Sequence, residues 1–112
     1  MTKSIYTRQA APTYWVNIFM AGPIDLAKQI CRKHCFDVGL CVTIDPTTYI
    51  YTGGEEEGFV VGLINYPRFP STTPLMDETA TKLADLLCEK LFQNSYTIMN
   101  PYNTVVISRK DH

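Results

Sequence analysis

Residues 14–39 read YWVNIFMAGPIDLAKQICRKHCFDVG, and the period of their apolar residues changes once, at Gly22-Pro23. Before that break lies a compact run rich in aromatic and β-branched residues, the composition of a buried strand. Pro23 suits the first turn of a helix, where a missing N–H leaves nothing unpaired that was not unpaired already. After it, Ile24, Ala27, Ile30, Cys31, His34 and Val38 recur at three- and four-residue steps, while Lys28, Gln29, Arg32, Lys33 and Asp37 fall between them. That spacing predicts an amphipathic helix over residues 24–38, with Gly39 as its stop.

Outward from this strand–helix pair, residues 40–44 alternate apolar and polar side chains and predict a second strand, interrupted by Pro46. Residues 47–52 resume the alternation, with Tyr49 and Tyr51 on one side. Gly53-Gly54 is a turn signal, Glu55, Glu56 and Glu57 read as an acidic tip, and residues 59–66 as a third strand closing a long hairpin. Pro67, Pro70 and Pro74 punctuate the connection to a second helix over about residues 74–93. Thr73 is its expected N-cap, and Met76, Ala80, Leu83, Leu87 and Leu91 are its inward stripe. Residues 96–99 and 104–108 are strand-like around Asn100-Pro101-Tyr102-Asn103. The order is β-α-β-β-α-β. It predicts an α+β, ferredoxin-like domain whose crossovers place both helices on one face of a four-stranded antiparallel sheet. Residues 1–13 are expected to form a flexible arm and residues 14–112 a single domain.

The chain's 112 residues suit one domain, and a hydrophobic share of 46% supports a real core. A net charge of −1 argues against general nucleic-acid binding, which draws on excess Lys and Arg. No run reaches the length of a membrane span, and residues 1–13 lack a signal-peptide core, so a cytoplasmic protein is expected. Its four cysteines, Cys31, Cys35, Cys41 and Cys88, then read as reduced thiols in apolar settings. Aromatic residues on the strands (Trp15, Phe19, Tyr49, Tyr51, Phe59 and Tyr66) predict that the sheet's second face is covered, most simply by another subunit.

The pattern resembles the CutA and PII-like family of trimeric ferredoxin-like proteins. The likeness rests on the strand over residues 16–21, the helix with Ala27 and Ile30 inward, and Gly39-Leu40-Cys41-Val42-Thr43-Ile44. The aromatic hairpin through Tyr49 and Tyr51, with Gly53 and the acids Glu55, Glu56 and Glu57, continues it. It spans about residues 16–108 and is one of topology. The family's tryptophan-containing hairpin signature, its basic residue after the third strand and its His-Pro-Tyr and Pro-Glu pattern are absent. What the resemblance implies is a homo-oligomer, a trimer above all, with a small anionic ligand such as a nucleotide held between subunits. A divalent-metal-binding, CutA-like protein is the family's other implication.

Among candidate sites, Arg68 stands between Tyr66-Pro67 and Phe69-Pro70, where a guanidinium could stack on aromatics and grip an anion. Gly22 precedes a helix start whose free N–H groups could meet an anion. Glu55, Glu56 and Glu57 offer an interaction surface or oxygen ligands for a cation. Cys31, His34 and Cys35, at i, i+3 and i+4, have soft-metal chemistry but no evident fourth ligand. No Ser or Cys is visibly paired with a base, and His34 and His112 are the only histidines. These observations predict a non-enzymatic, oligomeric binding or regulatory module with no catalytic residues and no cofactor. The alternative is a protein–protein interaction protein, such as a small viral or accessory regulator, docking its acidic hairpin on a cellular partner.

Overall fold

Strand geometry sends alternate side chains to opposite faces, and the first strand shows the consequence directly. In β1 (Trp15–Ala21), Val16, Ile18 and Met20 are buried while the residues between them are half-buried. The computed structural model describes residues 4–110. It continues with α1 (Ile24–Val38), β2 (Thr43–Tyr51), β3 (Gly54–Ile64), α2 (Thr73–Lys90), β4 (Ser95–Met99) and β5 (Thr104–Ser108). The five strands form one antiparallel sheet in the order β2-β3-β1-β4-β5.

Register decides which residues make the core. Val16 pairs with Leu63, Ile18 with Val61 and Met20 with Phe59, so three adjacent pairs share one face. That face meets Ala27 and Cys31 of α1 and Met76, Ala80, Leu83, Ala84 and Leu87 of α2 in one continuous apolar cluster. Each fully buried aliphatic or aromatic side chain contributes about 1.5–3 kcal/mol. The opposite face carries Trp15, Asn17, Phe19, Val60 and Ile64, and neither helix covers it.

Two tyrosine–aspartate pairs fasten α2 to the sheet. The Tyr14 hydroxyl donates to Asp77 Oδ1 at 2.7 Å, and Asn100 Nδ2 donates to the same oxygen at 3.2 Å. Burial first, then Asp77, pushes the Tyr14 pKa up to about 12. Tyr102 stacks on Tyr14 with ring centroids 6.3 Å apart. Nearer the other end of α2, the Tyr96 hydroxyl donates to Asp85 Oδ1 at 2.6 Å, and burial raises its pKa as well. The start of β1, both ends of β4 and one side of α2 are thus tied together.

Several expectations need correction. The sheet has five strands rather than four, because Asn100 Oδ1 accepts from the backbone N–H groups of Tyr102 and Asn103 and turns the chain into a β4–β5 hairpin. The second strand starts at Thr43 and runs unbroken through Pro46, which pairs with Phe59. It is an edge strand, where a proline leaves no ladder bond unmade. Glu55, Glu56 and Glu57 lie within β3, paired with Ile50, Tyr49 and Thr48, so they are not the hairpin's tip. α2 is capped by Thr72, whose Oγ1 accepts from Leu75 N at 3.3 Å, and not by Thr73. It ends at Lys90, short of Gln93. Val38 is exposed rather than part of the inward stripe, and Cys41 is exposed rather than apolar-buried. Of the arm over residues 1–13, the first three lie outside the described residues, and the rest form no regular element.

Candidate functional site

The β2–β3 ladder reaches past Ala21, the last residue of β1, so its outer half projects beyond the body of the sheet. Glycine at position 58 makes this possible. A Cβ there would collide with Met20 O and come within 2.7 Å of Tyr49 Cε2 and 2.9 Å of Ala21 Cα. The Tyr49 ring therefore lies across a strand position with no side chain, an aromatic cover over glycine. Its hydroxyl donates to Phe59 O at 2.8 Å. Burial raises the Tyr49 pKa, partly offset by the Met20 backbone.

Alternation puts Tyr51 and Glu56 on the same side as Tyr49. The Tyr51 hydroxyl donates to Glu56 Oε1 at 2.9 Å, and this bond is the first cause of the raised Tyr51 pKa, ahead of desolvation and charge. Both tyrosines therefore stay protonated donors through the neutral range. Glu57 points to the other side, where it accepts from Thr48 Oγ1 at 3.0 and 3.1 Å.

Together these groups wall a cavity of about 460 Å³ at the root of the hairpin. Phe19 and Ala21 come from β1, Tyr49 and Tyr51 from β2, Glu56 from β3, Gln93 and Asn94 from the turn after α2, and Ser95 and Thr97 from β4. The size suits a small molecule. Four aromatic rings (Phe19, Tyr49, Tyr51 and Tyr96), one carboxylate and two side-chain amides line it, and none of the lining residues is a Lys, Arg or His. Such a lining favours a flat, uncharged ring system joined to a cationic group.

Three sequence candidates, Tyr49, Tyr51 and Glu56, meet in this cavity, and Gly22 stands beside it against Leu91 and Gln93. Tyr66 and Phe69 instead line a separate groove of about 430 Å³ with His34, Cys41 and Lys82. Arg68 is exposed and lines neither space. Glu55 and Glu57 face away from the cavity. Cys31, His34 and Cys35 do not converge: among the described residues, no group of three His, Cys, Asp or Glu side chains is placed to hold a metal ion. Burial pushes the Cys31 thiol up to about 11 and raises Cys35 too, which keeps both protonated and poor as ligands. Gln93 was not legible as a site residue, because the turn that presents it carries no glycine.

No family model and no curated protein matches the chain. Solved structures do. A phage SAM lyase in complex with S-methyl-5'-thioadenosine superposes with a TM-score of 0.66 at 13% identity, over 97% of this chain and 99% of that one. A phage SAM lyase in the apo state superposes with a TM-score of 0.69 at 15% identity, over 96% of this chain and 98% of that one. The likeness is one of fold, and it runs end to end. It overturns the expectation of a non-enzymatic binding, regulatory or metal-binding module, since the structures that share this whole architecture are of an enzyme. Among the described residues, no helix is long and apolar enough to cross a membrane.

Proposed function

We propose that this chain is a lyase acting on S-adenosylmethionine (SAM), releasing S-methyl-5'-thioadenosine. The observation that carries the reading is the cavity's inventory: Tyr49, Tyr51 and Phe19 beside the single carboxylate of Glu56, with no cationic side chain in the lining. SAM offers what that lining lacks, a purine to stack on an aromatic ring and two positive groups, the sulfonium and the α-ammonium. The full-length likeness to phage SAM lyases supports the same assignment.

The chemistry asks little of a nucleophile. The bond between sulfur and the four-carbon amino-acid fragment breaks, and its electron pair stays on sulfur as a neutral thioether. As that bond breaks, an oxygen of the fragment's own carboxylate bonds to the carbon leaving sulfur and closes a lactone, so no base is needed and no water is consumed. Tyr49 and Tyr51 hold the adenosyl group, and Glu56 takes the α-ammonium and orients the fragment. Mixing the protein with SAM and separating the nucleosides by chromatography tests the reading. S-methyl-5'-thioadenosine should accumulate; intact SAM with no product above a buffer blank would refute it.

The same reading includes a closed symmetric trimer. The order of β1 to β4 supports the ferredoxin-like description and the resemblance to CutA and PII-like proteins. The uncovered sheet face, with Trp15, Phe19 and Val60, supports burial against another copy. Light scattering should find the trimer at micromolar concentration, and a species of only 12.7 kDa would contradict it.

A further inference from the structure

The turn between α2 and β4 is built against local preference. Phe92 sits at a φ of 57°, where a bulky side chain is strained and glycine is the usual occupant. The turn is closed by backbone bonds from Phe92 N to Glu89 O at 3.2 Å and from Gln93 N to Cys88 O at 2.9 Å. Its product is a fixed Gln93. The Gln93 Nε2 donates to Leu91 O at 3.2 Å. A carbonyl oxygen can only accept, so the amide has one orientation and cannot flip to exchange its nitrogen and oxygen. The backbone of Gly22 packs beside it: a methyl group there would lie 3.6 Å from Gln93 Nε2, and a φ of 135° at Gly22 disfavours any larger residue. Gln93 lines the same cavity as Tyr49, Tyr51 and Glu56.

We propose that Gln93 reads the six-position of the substrate's adenine, an inference that rests on the SAM reading above. With one Nε2 hydrogen committed to Leu91, the amide retains one donor and the Oε1 acceptor. On its Watson–Crick edge adenine presents the complement, the exocyclic N6–H donor beside the N1 acceptor. Hypoxanthine presents the reverse at its six-position and its neighbour: an oxygen that accepts and a ring N–H that donates. A free glutamine could rotate to meet either base. This one is held, so strain at Phe92 becomes selectivity for the amino purine.

The test compares SAM with its deaminated analogue, S-inosylmethionine, on the wild type, Gln93→Leu and Gln93→Met. The wild type should prefer SAM by about 10- to 100-fold in kcat/KM. Both variants should lose most of that preference, to within about threefold, chiefly through a slower reaction with SAM. Gln93→Met keeps the side chain's length should Gln93→Leu fail to fold. A wild type that cleaves both nucleosides equally, or a folded variant that keeps the full preference, overturns the role of Gln93. A wild type that cleaves neither overturns the lyase reading instead. Calorimetry with S-methyl-5'-thioadenosine and S-methyl-5'-thioinosine then reads Gln93 alone, and equal affinities overturn the inference.

Discussion

Glu56→Gln is expected to lower kcat/KM for SAM by about 100-fold while leaving the melting temperature within about 2 °C of the wild type. Hydrogen bonds to charged groups are worth about 1.5–3 kcal/mol, and each 1.4 kcal/mol is tenfold. Glu56 is exposed on β3 and is the only carboxylate among the residues lining the cavity. Glutamine keeps its length and its Oε1 can still accept from Tyr51, so the substitution removes charge and little else. Steady-state kinetics with a thermal melt separates the two effects. A rate within threefold of the wild type would leave Glu56 without a role in binding the substrate.

Gly58→Ala should act in the opposite way, through the fold. Its Cβ would press on Met20 O, on Ala21 Cα at 2.9 Å and on the Tyr49 ring at 2.7 Å. Two of these are backbone atoms of β1 at the end of its ladder with β3, and backbone cannot move aside as cheaply as a side chain. Overpacking of this kind costs about 1–3 kcal/mol, which lowers the melting temperature by roughly 5–20 °C in a domain of this size. Activity should fall further than stability, because Tyr49 loses its seat and with it the bond to Phe59 O. A variant that melts and turns over like the wild type would show that the close approach at Gly58 is not needed.

The sequence is most informative where one physical rule acts alone. The helix over residues 24–38 stands where periodicity and Gly39 put it. The stripe Met76, Ala80, Leu83, Leu87 and Leu91 is buried as its spacing requires. Misreadings fall where tertiary context outweighs a local signal. Pro46 looks like a strand break, yet an edge position makes it harmless. The acids Glu55, Glu56 and Glu57 look like a solvated tip, yet cross-strand partners on β2 give each a place in the ladder. Tyr49 and Tyr51 could be chosen as a pair from their spacing alone. Their companion from β3 follows only from the register, and Gln93 only from a left-handed turn at a phenylalanine, which no sequence rule anticipates. Arg68 drew attention as a lone cation among prolines and aromatics, but a loop residue's direction is set by its neighbours' packing, and the structure leaves it exposed and outside both spaces.

The central claim is that the cavity under the β2–β3 hairpin cleaves SAM at the carbon–sulfur bond without an acceptor, and proton NMR of SAM mixed with the purified protein tests it most directly. The account predicts that the methyl resonance of the sulfonium disappears and a thioether methyl resonance of S-methyl-5'-thioadenosine grows in equal amount, at a rate set by protein concentration and sharply reduced in Glu56→Gln. A spectrum that changes no faster than a protein-free control, or equal rates in wild type and variant, would contradict it.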